Sequence, residues 1–285
     1  MDTKERGILY LCATPIGNLQ DMTPRVVETL EMVDVIAAED TRNSIKLLNH
    51  FEISTPMTSY HEHNKYEKAD QLVASLLAGK NIALITDAGT PAISDPGEVL
   101  VARCYEEGIT VTSLPGACAC ITALTLSGLN TRRFVFEGFL PYDKKEKQQV
   151  LDSLKDEHRT IIMYEAPHHL KKTLAELETV FGGERKVTLC RELTKRFEEA
   201  MPTTFAEAKE YYESNEPRGE YVLVIEGKDL ETIKKEKALS WEEMSIAEHV
   251  NLYEDQGLDR KEAMKRAASD RGVSKRDIYQ ALLNE

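Results

Sequence analysis

Ile82-Ala83-Leu84-Ile85-Thr86-Asp87-Ala88-Gly89-Thr90-Pro91 decides the fold class: a short apolar run that stops abruptly at a loop of turn-forming residues. The run is too short for a globular helix and reads as a strand, 82–86, bounded by turn signals. Working outward, three more short runs rich in β-branched residues share its character, at 8–13, 33–37 and 109–114. Helical patterns lie between them. Thr23-Pro24 opens one with a capping hydroxyl and a first-turn proline, and 65–78 carries apolar residues at helical spacing up to Gly79. Strand and helix in alternation predict an α/β fold, a mostly parallel sheet with helices packed on it.

Beyond Thr131-Arg132-Arg133 the chain changes character, with a run of apolar residues and glycine, FVFEGFLP, and a lysine-rich stretch, Asp143 to Lys147, read as a solvated helix start or loop. Strands are expected at 160–164, 186–190 and 221–225, with helices near 167–180 and 205–213. From Leu239 the β signal ends, and amphipathic helices are expected at 241–256, 259–270 and 274–283. Asp259 with Glu262 and Ser274 with Asp277 form capping-box patterns, and Gly257 and Gly272 supply stops. The expected organisation is therefore an α/β domain over 1–130, a second over 131–238, and a helix-turn-helix-like unit over 239–285.

A chain of 285 residues with 41% hydrophobic and 30% charged residues has material for about two ordinary domains and a real core. Disordered and disulfide-scaffold classes are thereby excluded. No stretch approaches the roughly 18 apolar residues of a membrane span, and the start MDTKERG lacks a signal-peptide pattern, so a cytoplasmic protein is expected. Cys12, Cys104, Cys118, Cys120 and Cys190 are scattered through apolar runs and read as reduced core thiols. Neither His61-Glu62-His63 nor His168-His169 has metal-site spacing, so no metal is expected. Trp241 reads as core packing of the terminal helices. A net charge of −13 disfavours sequence-blind binding to naked nucleic acid. Between Arg260 and Arg276, however, seven basic residues face two acidic ones. That local patch is open to two readings, a solvated face or a nucleic-acid contact.

Three strand ends carry loops suited to ligands. Thr14-Pro15-Ile16-Gly17-Asn18 follows the first strand and is not the dinucleotide fingerprint G-x-G-x-x-G. Thr86 to Gly97 holds two glycines, two prolines and two aspartates within twelve residues, more than a bland turn needs. There Asp87 can accept hydrogen bonds from a ribose diol or an ammonium group, Gly89 lets the backbone lie against a ligand, and Asp95 reads as a helix cap. Leu114-Pro115-Gly116-Ala117-Cys118-Ala119 opens a helix with small residues, which suits either close ligand approach or tight packing.

In order along the chain, ATPIGNLQDMTPR, AAEDTR, ITDAGTPAISDPG, LPGACA, FEGFLP, MYEAPHHL, CRELTKRFEE and GEYVLVIEG resemble the tetrapyrrole methylase superfamily over about residues 7–227. Within it they resemble the branch that methylates the 2′-hydroxyl of a cytidine in small-subunit ribosomal RNA. Two positions depart from the branch's pattern: Cys118 stands where serine is expected, and His169 where arginine is commoner.

The resemblance implies two α/β domains, S-adenosyl-L-methionine in the cleft between them, a homodimer, no metal, no membrane, and ribosomal RNA within the small subunit as partner. Carried over motif by motif, it implies that Asp87, Gly89, Thr90, Ala117 and Cys118 line the donor cleft, with Tyr164 and Leu193 opposite. Thr14, Pro15, Gly17 and Asn18 would face the acceptor, alongside Glu39, Asp40, Arg42 and Arg191. Glu165 and Lys195, each just after a second-domain strand, are the preferred catalytic pair. Lys195 could act as a base if burial depresses its pKa, and Glu39, Asp40 and Glu192 are further candidates. Arg42, Arg191 and Arg196 would bind phosphate or pair with neighbouring carboxylates.

Two other functions compete. A small tetrapyrrole acceptor would suit the same fold, and a non-enzymatic helix-turn-helix regulator would suit the tail. The EDTR and RELTK loops and the extra helices favour RNA, on an assembled subunit.

Overall fold

A computed structural model describes residues 6–284. The chain forms two compact units, one reaching to Asp152 and resuming over Thr160–Glu226, the other comprising Ser153–Arg159 and the chain from Gly227 on. The first contains both sheets.

Its N-terminal lobe runs β1 (Ile8–Cys12), α1 (Pro24–Met32), β2 (Val35–Ala38), α2 (Thr41–His50), β3 (Met57–Ser59), α3 (Lys65–Leu77), β4 (Ile82–Ile85), α4 (Gly97–Glu106), β5 (Thr110–Leu114) and α5 (Ala119–Leu126). The strands form one sheet in the order β3-β2-β4-β1-β5, every pair parallel. β4 is apolar throughout because both of its faces are covered. Ile82 and Leu84 pack with Leu72 and Leu76 of α3 and Leu100 of α4. Ala83 and Ile85 pack with Val26 and Leu30 of α1 and Leu48 of α2. Thr23 caps α1, accepting the Val26 N–H at 3.3 Å, and Gly79 ends α3 with φ +89°. Such a cap contributes about 1 kcal/mol, whereas each buried leucine contributes roughly 1.5–3 kcal/mol, so packing dominates.

The C-terminal lobe runs β6 (Phe134–Phe139), α6 (Lys144–Leu154), β7 (Thr160–Glu165), α7 (Pro167–Phe181), β8 (Lys186–Arg191), β9 (Glu199–Thr204), α8 (Phe205–Ser214) and β10 (Tyr221–Ile225). Its sheet order is β6-β7-β10-β8-β9, with only β6 and β7 parallel. The lysine-rich stretch is a helix start, where Asp143 accepts the N–H groups of Lys145 and Glu146. Three strands, β3, β6 and β9, lay outside the sequence expectation, β6 running through the FVFEGF stretch. β3 is short, and β9 is an edge strand that tolerates Pro202 because it pairs only with β8. Cys120, Ala123 and Leu124 of α5 pack with Ile162, Cys190, Val222 and Val224 of the second sheet, joining the two lobes through one cluster.

The second unit carries α9 (Leu230–Glu243), α10 (Ile246–Asp255), α11 (Arg260–Asp270) and α12 (Lys275–Asn284). The single helix expected over 241–256 is a break between two helices. Ser245 accepts the Glu248 N–H at 3.1 Å, and Glu248 accepts the Ser245 N–H at 2.9 Å. This reciprocal capping box starts α10 afresh. The helix starts read at Asp259 and Ser274 hold: each side chain accepts the N–H three residues on, and at Ser274 the bond is returned, its N–H donating to Asp277 at 3.0 Å. Val250, Ala263, Ala267 and Ile278 form this unit's core, and Trp241 stacks on buried His249 at 5.2 Å.

Among the described residues no helix is long and apolar enough to cross a membrane, and no His, Cys, Asp and Glu cluster could hold a metal.

Candidate active site

Because the first sheet is wholly parallel, the loops after β1, β2, β4 and β5 emerge along one edge. Hydrogen bonds tie them together there. Thr14 and Gly89 exchange backbone bonds, Thr14 N–H to the Gly89 carbonyl at 2.9 Å and the reverse at 3.0 Å. The Thr14 hydroxyl donates to the Thr86 carbonyl at 3.2 Å. The Thr86 hydroxyl donates to Glu39 Oε2 at 2.8 Å, and the Asp40 N–H donates to Asp87 Oδ1 at 3.1 Å. Thr90 closes the set by donating to the Ala117 carbonyl at 2.9 Å.

Glycine is required at the centre. Gly89 has φ +87°, and a Cβ there would lie 3.2 Å from Ile16 Cγ2. At Gly116 a Cβ would sit 2.6 Å from that of Ala13, so only glycine lets the turn after β5 press on the end of β1.

The second lobe delivers its residues to the same place. β10 is antiparallel to β7 and β8, and Tyr221 is in register with both Glu165 and Arg191. The start of β10 therefore meets the ends of its two neighbours. A register shift between Phe136 and Gly138, with φ +63° at Gly138, marks a bulge just before Phe139. Phe136 and Phe139 both meet the half-buried Tyr164 ring edge-on, at 5.0 and 5.5 Å.

Between the two lobes lies a cavity of about 420 Å³, within the range of roughly 300–1,000 Å³ typical of small-molecule sites. Asp87, Gly89, Thr90, Cys118, Tyr164 and Leu193, all expected from the sequence, line it. Ala117 supports the wall through its carbonyl, and Ala119 lines the cavity in its place. Ile16 joins the wall from the loop expected to face the acceptor, and Phe139, Glu220 and Tyr221, which were not anticipated, also line it. Glu220 and Tyr221 open a buried strand whose sequence reads as core, and only its antiparallel pairing carries its first residues to the site.

Glu165 lines the cavity and is buried, with both carboxylate oxygens engaged. Oε1 accepts the Ala166 N–H at 2.7 Å and Oε2 accepts the Thr173 hydroxyl at 2.5 Å. Lys195 lies outside the lining and donates to Glu192 Oε1 at 3.0 Å and Glu220 Oε2 at 2.8 Å. The depressed pKa that would make Lys195 a neutral base is not found. Burial pulls it down, but bonds to Glu220 and Glu192 outweigh that and raise it. Glu192 is the converse: burial pushes its carboxyl up, and Lys195 with the Glu220 N–H brings it below the usual range. Glu192 and Thr194 have φ +50° and +65°. Such backbone costs about 1–3 kcal/mol per residue and typically marks a functional loop.

The other expected acceptor residues stand around the cavity, outside its wall. Asn18 caps a 3₁₀ turn over Leu19–Asp21, accepting the Gln20 N–H at 3.1 Å, while Pro15 and Gly17 lie in the same loop. Asp40 caps α2 and holds Arg42 through two side-chain bonds, at 3.0 and 2.8 Å. These bonds pull its carboxyl down to about 2. Arg191 pairs with Glu199 at 2.8 Å, while its buried Nε finds no partner among the described residues. Arg196 lies over the ring of Phe197. For Arg42 and Arg191 the ion-pair reading is realised.

Comparison with known proteins places these features. The sequence profile of the tetrapyrrole (corrin/porphyrin) methylases matches residues 8–209. A Synechocystis protein called ribosomal RNA small subunit methyltransferase I is 51% identical, over 97% of this chain and 98% of its own. A Bacillus subtilis protein of that name is 48% identical over 97% and 94%. Among solved structures, a diphthine synthase aligns with TM-score 0.64 at 12% identity, covering 79% of this chain and 91% of its own. Uroporphyrin-III-C-methyltransferase from Thermus thermophilus aligns with TM-score 0.55 at 17% identity, over 77% and 94%. At such identities these two structures speak for the fold alone.

Proposed function

Because this chain belongs to the tetrapyrrole methylase family, we propose that it transfers a methyl group from S-adenosylmethionine to the ribose 2′-hydroxyl of a cytidine in 16S ribosomal RNA. The observation that carries this reading is the near full-length similarity, at 51% identity, to a relative whose name specifies the small ribosomal subunit. A tetrapyrrole acceptor shares only the fold with the solved structures, and a purely regulatory role leaves the cavity unexplained.

The cavity suits the methyl donor. Its volume fits a nucleoside-sized ligand, Gly89 offers bare backbone, and the Asp87 carboxylate can accept from a ribose diol or an ammonium group. Asp87, Gly89, Thr90 and Cys118 would hold it from the first lobe, and Tyr164 and Leu193 from the second. When bound, it supplies a methyl group already activated by the sulfonium charge, so the protein need not activate the carbon.

What the chain supplies is alignment and a proton acceptor. Fixing two reactants in an attack geometry is worth about 7–11 kcal/mol, and a positioned base adds about 10²–10⁴-fold. Glu165 is our assignment for the base: each of its oxygens accepts one bond and keeps a second lone pair for the acceptor. Lys195 acts beside it as a cation, steadying Glu192 and Glu220 at the cavity mouth. The Thr14–Asn18 loop, Glu39, Asp40, Arg42 and Arg191 would meet the acceptor strand. Division into two lobes near residue 130, a homodimer and cytoplasmic action on the assembled subunit complete the reading.

Labelled S-adenosylmethionine, small ribosomal subunits and nucleoside analysis test it together. Ribose-methylated cytidine is expected. Label on a base, or equal transfer to protein-free RNA, would overturn the acceptor or the assembled-subunit assignment respectively.

A further inference from the structure

Cys118 and Cys120 stand with their sulfurs 3.4 Å apart, Cys118 in the cavity wall and Cys120 buried directly behind it. We propose that these two thiols are a modification site, oxidised by peroxide to a disulfide that reshapes the donor wall and switches donor binding off. The inference rests on the cavity being the donor site, but the thiol chemistry can be read without it.

Proximity comes first. A disulfide needs its sulfurs at about 2.0 Å, so a closure of roughly 1.4 Å from the present 3.4 Å suffices. Side-chain rotation can supply most of that, because Cys118 is the N-cap of α5 with extended φ and ψ, tied to the helix only through its carbonyl. Among the described residues the other cysteines lack such a neighbour. Cys12, Cys104 and Cys190 are buried as single thiols.

Reactivity divides the five in the same way. The hydrogen bond shared by the two sulfurs lowers the Cys118 pKa, against burial, and the N–H groups of Ile121 and Cys120 at the helix start help. Burial instead pushes the Cys12 thiol up to about 12, and Cys104 and Cys190 up to about 11. Thiolate character and cavity access therefore coincide at Cys118.

The chemistry balances with hydrogen peroxide as oxidant. The Cys118 thiolate attacks one peroxide oxygen, the O–O bond breaks, and a sulfenic acid forms with release of hydroxide. The Cys120 sulfur then attacks the Cys118 sulfur, the S–O bond breaks, and hydroxide leaves with the Cys120 proton as water. Overall two thiols lose two electrons and two protons, and one peroxide becomes two waters. Forming the bond turns the Cys118 sulfur out of the wall toward Cys120, removing a surface the donor would contact.

The test treats the full-length protein with hydrogen peroxide, blocks remaining thiols by alkylation, and measures peptide masses alongside S-adenosylmethionine affinity by calorimetry. The expected result is a peptide carrying both cysteines that has lost two hydrogens and resists alkylation. Donor affinity should fall about tenfold or more, about 1.4 kcal/mol or more, and recover with dithiothreitol. Cys120→Ala should bind donor like the parent and form no such link. Full alkylation of Cys118 and Cys120 after peroxide overturns the proposal, as does a disulfide that leaves donor affinity unchanged. If the reduced protein binds no donor at all, the cavity assignment fails, and the masses still decide the thiol pair.

Discussion

Gly17 and Lys195 touch across the two lobes: a Cβ built on Gly17 would lie 2.4 Å from Cγ of Lys195, and 3.0 Å from the hydroxyl of Thr194. The loop after β1 and the strained loop after β8 thus form one seam. Gly17→Ala must push Lys195 from its place between Glu192 and Glu220. We expect a stability loss of about 1–3 kcal/mol, as for other overpacked sites, and slower methyl transfer. Denaturant melts and single-turnover rates would check both, and a variant that matches the parent in each would show that the seam can give way freely.

Asp87 binds the loops together by accepting the Asp40 N–H, and it lines the donor cavity. Asp87→Ala should weaken S-adenosylmethionine binding by about tenfold or more, roughly 1.4 kcal/mol or more. Calorimetry reads this directly. Unchanged affinity removes Asp87 from the donor site.

Thr173 holds Glu165 from α7, one turn and more beyond the strand end. In Thr173→Val a buried carboxylate oxygen loses its donor, at a cost of about 1–3 kcal/mol. Thr173→Ser should restore both stability and transfer rate. If valine and serine behave alike, the hydroxyl does not position Glu165.

The Asp40–Arg42 pair has a defined acid limit. The folded pKa of Asp40 is depressed to about 2, against about 3.9 for an unfolded chain. A depressed carboxylate stabilises above the unfolded pKa, and the contribution disappears as pH falls through the folded one. The pair should therefore be intact at neutral pH and dissolve between about pH 4 and about pH 2. Carbon NMR of the Asp40 carboxyl should place its midpoint near the lower limit, and Arg42→Gln should move it upward. A midpoint that ignores Arg42 would deny the pairing.

Lys261 and Lys265 are exposed on α11, within the basic stretch of an otherwise acidic chain. If that face meets phosphates, Lys261→Glu with Lys265→Glu should weaken binding to small subunits and flatten its salt dependence, by about 0.7–0.9 in the log–log slope for each phosphate left unneutralised. Donor affinity should stay constant. Unaltered subunit binding would make the face a solvated one.

Much of the fold was legible locally. The four parallel strands expected in the first half are present because short apolar runs between helical periods can be buried only under helices. β3, β6 and β9 were not legible: all three are edge strands, β3 is only three residues long, and β6 is interrupted by the bulge before Phe139. The break at Ser245 was legible in principle, since Ser245 and Glu248 spell a capping box inside an otherwise continuous helical period. Around the site, glycine-rich strand ends announced Asp87, Gly89 and Thr90. Glu220 and Tyr221 had no such signal, since a residue at the start of an ordinary apolar strand looks the same wherever the strand ends up.

By itself the sequence determined the alternation of strands and helices, the loops that bear chemistry and the family, because turn residues, caps and periodicity act over a few neighbouring positions. Only the tertiary structure decided what those residues meet. The depressed pKa that a lysine base needs is denied to Lys195 by Glu192 and by Glu220, which lies beside a distant strand. Electrostatic and packing partners are set by distance in space, and Lys195 and Glu220 become neighbours only once β8 and β10 have paired.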